Sequence, residues 1–264
     1  MKTKVAIVTG GSSGIGRCTA IALSQAGCKV YEFSRRNNAI DGVLHIGVDV
    51  TDENSIATAI DQITADNGRV DILVNCAGNG ISGAVEFTEL KDAKAQFEVN
   101  FFGMVNMNKA VLPIMRKQGY GRIVNISSVA AVAHIPFQTY YSASKAAIES
   151  YTCCLANEVK PFGLSVTCVQ PGDIATGFTE ARRKSAVGDD VYHGRISRSV
   201  AGMEKDEQNG MTPEYIAKKI GKVVKKKRVK PLYTLGGKYK IFVVLSKILP
   251  IKLVNWIVYL IYAK

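Results

Sequence analysis

The chain has 264 residues, 47% of them hydrophobic, which is enough to bury the core of one sizeable α/β domain. Six scattered cysteines without a CxxC pair and only three histidines argue against a disulfide framework or a metal cluster, and for reduced thiols in a reducing, cytoplasmic setting. The net charge of +12 is carried by one end: Tyr215 to Lys264 holds 13 Lys or Arg and no Asp or Glu, whereas the residues before it are nearly balanced.

The first residues, "MKTKVAIVTGG", contain an apolar run too short for a signal-peptide core, so 4–9 is expected to be a buried strand. A helix over 14–26, a strand at 29–34, a strand at 43–50 and a helix over 53–67 follow. Further strands are expected at 70–75, 121–127, 164–170 and 229–235, with a long helical region between the first two of these. Short β-rich runs alternating with helical patterns indicate βαβ units and a doubly wound, parallel sheet of about seven strands. In such folds, ligands sit beyond the carboxyl ends of the strands.

After the first strand comes "TGGSSGIG", Thr9 to Gly16. Gly10, Gly14 and Gly16 allow a tight turn and a close approach of backbone to a pyrophosphate, which would rest on the next helix's N-terminus. The spacing is not GxGxxG, and a flexible βα loop is the plainer alternative. Further on, "YYSASK" sets two tyrosines side by side. Tyr141 lies four residues before Lys145 and shares its helical face; Tyr140 does not. A nearby ammonium is expected to lower the phenol's pKa and let it trade protons near neutral pH.

Together these motifs resemble the short-chain dehydrogenase/reductase family, whose pattern is TGxxxGxG, NAG, a Ser, YxxxK and a PG segment. The chain offers them in order: Thr9–Gly16, "NCAG" at 75–78, Ser128, Tyr141 with Lys145, and "PGDIAT" at 171–176. Cys76 stands where an Asn is frequent. The resemblance implies a Rossmann-type domain over 1–237, a substrate lid at 177–212, and carbonyl–alcohol interconversion by hydride transfer. It implies dinucleotide contacts from Gly10, Ser12, Ser13, Gly14, Ile15 and Gly16. Further contacts would come from Ser34, Arg35, Asp49, Val50, Asn75, Ala77, Gly78, Pro171, Gly172, Ile174 and Thr176, with Tyr141 and Lys145. Tyr141 would exchange the proton and Lys145 would tune it. Ser128, 13 residues before Tyr141 and favoured over Ser127 for that spacing, would hold the carbonyl oxygen. Asn100 would hold a water linking Lys145 to solvent.

Strand two ends in Ser34, not a carboxylate, and Arg35 and Arg36 follow, which favours NADP and NADPH over NADH. No metal is expected. Taken whole, the chain is similar to hydroxysteroid and retinol dehydrogenase-like members with extended C-termini, and hence to enzymes of apolar carbonyls and alcohols. The alternative is a reductase of acyl-lipid ketones such as 1-acyl-dihydroxyacetone phosphate. A non-catalytic NADP-binding regulator is disfavoured because Tyr141 and Lys145 both remain. A homo-oligomer is expected by analogy with relatives.

Residues 238–264 read as two short amphipathic helices broken at Pro250. Lys240 and Lys247 lie on one side, with Ile241, Phe242, Leu245, Ile248 and Leu249 on the other. In the second helix Lys252, Asn255, Tyr259 and Tyr262 form the polar face. The tail fits a cap over the substrate pocket, a subunit contact or a peripheral membrane contact. Nucleic acid is not an expected partner, because stacking aromatics do not interleave the basic run "KKKRVK".

Overall fold

Strand β1 (Val5–Thr9) is fully buried, and the sheet is built outward from it in both directions. The computed structural model describes residues 3–264. The elements then run α1 (Gly14–Gln25), β2 (Lys29–Ser34), β3 (Val43–Gly47), α2 (Glu53–Asn67), β4 (Ile72–Asn75) and the short β5 (Ile81–Ser82). Next come α3 (Leu90–Phe97), α4 (Gly103–Gln118), β6 (Gly121–Ile126), α5 (Ala130–Ala133), α6 (Thr139–Val159) and β7 (Leu164–Pro171). The chain finishes with α7 (Phe178–Ala181), β8 (Arg183–Lys184), α8 (Arg195–Gln208), α9 (Pro213–Val224), β9 (Leu232–Leu235), α10 (Gly237–Ile248) and α11 (Ile251–Tyr262).

Seven strands form one parallel sheet in the order β3-β2-β1-β4-β6-β7-β9. The order reverses direction between β1 and β4, the switch point where such sheets open a crevice. Strand alternation divides the core. Ile7, Phe33, Leu73 and Ile123 face the layer of α2, α4 and α6, with Ile56, Ile63, Met107 and Met115. Ala6, Val8, Ile72 and Val124 face α1 and α9, with Leu23, Ile216 and Ile220. Near-continuous apolar strands follow from burial on both faces.

Several boundaries differ from the sequence expectation. The third strand stops at Gly47, and Val48–Val50 peel away from the sheet. The fourth begins at Ile72, just after Asp71, whose carboxylate accepts from the Val5 amide at 2.9 Å. The last begins at Leu232, after Pro231, which has no N–H to give a ladder. Thr212 caps α9, accepting from the Tyr215 amide at 3.2 Å, with Pro213 in the first turn, as "TPEY" leads one to expect.

The segment read as a lid is more ordered than its polar composition suggests. β5 and β8 pair in parallel, and α8 buries Ile196, Val200 and Met203 beside Ala84 and Tyr262. The tail leaves most of its apolar stripe uncovered. Of its apolar side chains Val243, Val254, Val258 and Ala263 are buried, whereas Ile241, Leu245, Ile248, Leu253 and Leu260 face outward. Tyr262, expected on a polar face, points inward and donates to Asp206 at 3.0 Å. Among the described residues no helix is long and apolar enough to cross a membrane, and no group of His, Cys, Asp or Glu could hold a metal.

Candidate active site

At the carboxyl ends of the strands lies a cavity of about 850 Å³. Gly10, Ser12, Ser13, Gly14, Ile15 and Gly16 line one end, followed by Ser34, Arg35, Asp49 and Val50. Ala77, Gly78, Ser128, Tyr141 and Lys145 form its middle, with Pro171, Gly172, Ile174 and Thr176 opposite. Asn75 and Asn100 are not on its wall.

The turn after β1 depends on two glycines. Gly10 has φ +67°, and a Cβ there would lie 2.9 Å from the Ala77 backbone. A Cβ on Gly16 would lie 2.2 Å from the Gly10 carbonyl oxygen. The turn is tied to β4 by Thr9, a residue to which sequence reasoning gave no role: its Oγ1 accepts from the Cys76 and Ala77 amides, both at 3.1 Å. Ser13 is the N-cap of α1 but its side chain makes no capping bond, so the first amides of that helix have no side-chain acceptor.

At the end of β2, Ser34 Oγ lies 2.8 Å from Glu32 Oε1 and 2.8 Å from the Arg36 carbonyl. The Glu32 carboxylate is buried beneath the glycine turn, 2.8 Å from His45 Nδ1, and does not reach the cavity. Arg35 is exposed, with its guanidinium 3.9 Å from Asp49. Hydrogen bonds from Thr51 hold the Asp49 carboxyl below its usual range.

Asn75 turns its side chain off the cavity wall. It shares the face of Leu73, so strand alternation turns its side chain into the helical layer, away from the cavity. There its Nδ2 donates to Asn108 and Asn125, both at 2.8 Å, and Asn125 donates to Thr152 at 2.9 Å.

Asn100 sits in a π-turn, Glu98–Phe102, between α3 and α4. Such turns recur at functional sites because they re-aim one side chain. Its Oδ1 accepts from the Asn79 amide at 2.8 Å and its Nδ2 donates to the Asn79 carbonyl at 2.9 Å. Asn100 therefore fixes the loop after β4 from behind. Asn100 and Lys145 border the space beside Gly78: a Cβ there would lie 3.2 Å from Asn100 Oδ1 and 3.7 Å from Lys145 Nζ. Asn79 carried no signal of its own in the sequence.

The adjacent serines divide as their spacing suggests. Ser127 Oγ lies 2.9 Å from Glu149 Oε1 and 3.0 Å from the Lys145 carbonyl, tying β6 to α6. Ser128 faces the Tyr141 phenol. Tyr140 is absent from the cavity wall.

Lys145 Nζ lies 5.6 Å from the centre of the Tyr141 ring and donates to the Ile126 carbonyl at 3.0 Å. The expectation of an acidic phenol is corrected here. Burial pushes Tyr141 up to about 12, outweighing the opposing pull of Ser128. Burial also brings the Lys145 ammonium down from 10.5 to about 8. Between those values the unfolded chain holds more protons than the folded one, so Lys145 makes stability rise with pH. Below them its buried charge costs on the order of 3 kcal/mol, against about 1 kcal/mol for its hydrogen bond. Lys145→Met is therefore expected to melt a few degrees higher at pH 7 and to lose that advantage by pH 10, as thermal melts would report. Above pH 10 the raised Tyr141 pKa works in the opposite direction, stabilising less as pH rises, in both variants.

Beyond Tyr141 the cavity becomes largely apolar, with Ala133, Ile135, Phe178, Phe242, Val258 and Ile261, and Asp173, Asp206, Glu207 and Lys238 also line it. The Phe178 ring centre is 5.7 Å from that of Tyr141. Of the lid side chains Phe178, Tyr192, His193 and Met203, only Phe178 lines the cavity. Tyr192 packs between Phe87 and Phe137, and Met203 belongs to the α8 core. The tail closes this end: Tyr239 donates to Asp173 and Tyr262 to Asp206, while Arg182 pairs with Glu207.

A family model described as short chain dehydrogenase matches residues 4–186. The chain belongs to the short-chain dehydrogenase/reductase family. A 3-ketodihydrosphingosine reductase of Bacteroides thetaiotaomicron is 45% identical over 230 residues, covering 86% of each chain. A short-chain dehydrogenase structure from Streptomyces avermitilis is 33% identical with a TM-score of 0.85, covering 97% of this chain and 96% of that one. A serine dehydrogenase complexed with NADP+ is 26% identical with a TM-score of 0.76, covering 88% and 94%. Short-chain dehydrogenases/reductases bind a nicotinamide dinucleotide and act on small carbonyls and alcohols. The residues here fit that cofactor: the Gly10–Gly16 turn leaves backbone room beside uncapped helix amides, and the cavity runs on from there to Tyr141.

Proposed function

We propose that the chain is an NADPH-dependent reductase that converts the ketone of an apolar, long-chain lipid into a secondary alcohol. The observation that carries this reading is the arrangement of one cavity: a dinucleotide cradle at one end, an apolar chamber at the other, and Tyr141 with Ser128 between them. The 45% identical relative is named for a lipid ketone, which favours the acyl-lipid alternative over steroid or retinoid substrates.

When bound, the dinucleotide supplies the hydride. Tyr141, held protonated by burial, suits the role of proton donor to the substrate oxygen, which is the reductive direction. Ser128 supports the same oxygen as negative charge develops on it. Lys145 is the stronger acid of the pair, so proton flow from it to a spent tyrosinate is downhill. Asn100 acts as a positioning residue through Asn79 and Gly78.

The NADPH preference rests on Ser34, Arg35 and Arg36 at the end of β2, where the strand's own carboxylate, Glu32, is turned away and the Asp49 carboxylate is paired with Arg35. Steady-state kinetics with both cofactors against long-chain ketones, steroids and retinoids tests both halves of the reading. NADPH is expected to be preferred by tenfold or more, and Arg35→Ala to raise its KM about tenfold, equivalent to about 1.4 kcal/mol, without changing NADH use. Equal use of NADH would overturn the cofactor assignment, and faster turnover of steroid or retinoid would overturn the substrate class.

A further inference from the structure

The two C-terminal helices do two things at once. Their inner side chains wall the apolar chamber, and their outer side chains are left uncovered. On α10, Ile241, Val244, Leu245 and Ile248 fall at helical spacing on one outward stripe. Ile248 is 73% exposed and Ile241 64%. On α11, Leu253, Trp256 and Leu260 form a second stripe, with Trp256 at 56%. Uncovered apolar stripes of this extent mark a binding surface.

Charge identifies the occupant. Lys240 and Lys247, seven apart, edge the first stripe, and Lys252 and Lys264 belong to the second helix. No Asp or Glu occurs from Tyr215 onward, so both helices themselves carry only positive side-chain charge. Two copies meeting through this face would bring like charges together. An anionic lipid surface would accept both the apolar stripes and their lysine borders, with the exposed Trp256 and Tyr259 at headgroup level. At 12 residues each, both helices are too short to span a bilayer and long enough to lie along one.

We propose that the outward faces of α10 and α11 seat the protein on an anionic bilayer, with the chamber mouth at Ile261 turned toward it. Ile261 lines the chamber and is also 63% exposed, so the chamber opens at this face. A lipid ketone would then pass from bilayer to chamber without crossing bulk water. This last step rests on the lipid-ketone reading; the docking itself does not.

The test is flotation of the full-length protein with vesicles of phosphatidylcholine, alone or mixed with phosphatidylglycerol. Binding to the anionic vesicles is expected to be at least tenfold tighter and to weaken with added salt. Lys247→Gln and Lys252→Gln are expected to weaken it about fivefold each. Ile248→Glu combined with Trp256→Glu is expected to remove it, with an unchanged melting curve and unchanged turnover of a short water-soluble ketone. Vesicle binding that persists in the double variant, or no binding at low salt, would overturn the proposal. So would a dimer that the double variant turns into a monomer, because the face would then belong to a second copy. Vesicle binding without turnover of any lipid ketone would uphold the docking and sink the substrate reading.

Discussion

Tyr141→Phe is expected to lower kcat for ketone reduction by about 10²–10⁴-fold, with NADPH binding and thermal stability nearly unchanged. The substitution removes only the hydroxyl. The ring keeps its packing on Phe178 and its place beneath Lys145 Nζ, so the fold has little reason to respond. What is lost is the one proton donor facing the chamber next to Ser128. The pH profile provides a second readout. Reduction by the parent is expected to fall as pH rises through about 8, where Lys145 gives up its proton, while Tyr141 itself stays protonated to about 12. Steady-state kcat measured across pH, with NADPH affinity measured by fluorescence titration, would check both. A Phe variant that reduces ketones at the parent rate would show that the proton comes from elsewhere.

Gly16→Ala is expected to weaken NADPH binding about tenfold to a hundredfold and to lower stability by about 1–3 kcal/mol. The added methyl would sit 2.2 Å from the Gly10 carbonyl oxygen, which is backbone and has no rotamer to change. Either the turn opens or α1 shifts. Both moves displace the helix amides that would face the pyrophosphate. Gly27→Ala is a useful contrast: it also loses a glycine near α1, at a positive φ, but its Cβ would meet nothing within 4 Å. Its cost is local strain, felt in the melting temperature and not in cofactor affinity. Titration of both variants would separate the two effects, and an unaltered affinity in Gly16→Ala would move the dinucleotide away from this turn.

The parts that sequence made legible are those set by local spacing. A strand, a glycine turn and a helix must follow one another within a few residues, so Thr9–Gly16 carried its own geometry. A Tyr and a Lys four apart share a helical face wherever the helix goes, and so Tyr141 could be separated from Tyr140. What spacing does not reveal is which way a face points once elements assemble. The motif marks Asn75 without saying where its side chain goes; the register of β4 turns that side chain toward α4. The tail's apolar residues fitted a cap, a subunit contact or a membrane contact, and spacing did not choose among them. The chamber is walled by a few of its side chains such as Phe242 and Val258, leaving most of the apolar stripe outside. Tyr262 meets Asp206 across 56 positions, a separation that no local pattern encodes. The phenol's pKa failed for a related reason: the nearby charge could be read from the spacing, whereas the degree of burial could not.

The side-chain thread from Asn75 through Asn108, Asn125 and Thr152 joins β4, α4, β6 and α6 inside an otherwise apolar layer. Greasy contacts alone would let a helix slide along the sheet at little cost, but directed amide bonds do not. A shift of one helical turn, about 5.4 Å, would strand several polar atoms away from water. The thread thus acts as an axial latch on α4 and α6, the helices that follow Asn100 and carry Tyr141 and Lys145. Angstrom-level placement of the proton-handling groups is in this way inherited from four side chains buried away from the cavity wall.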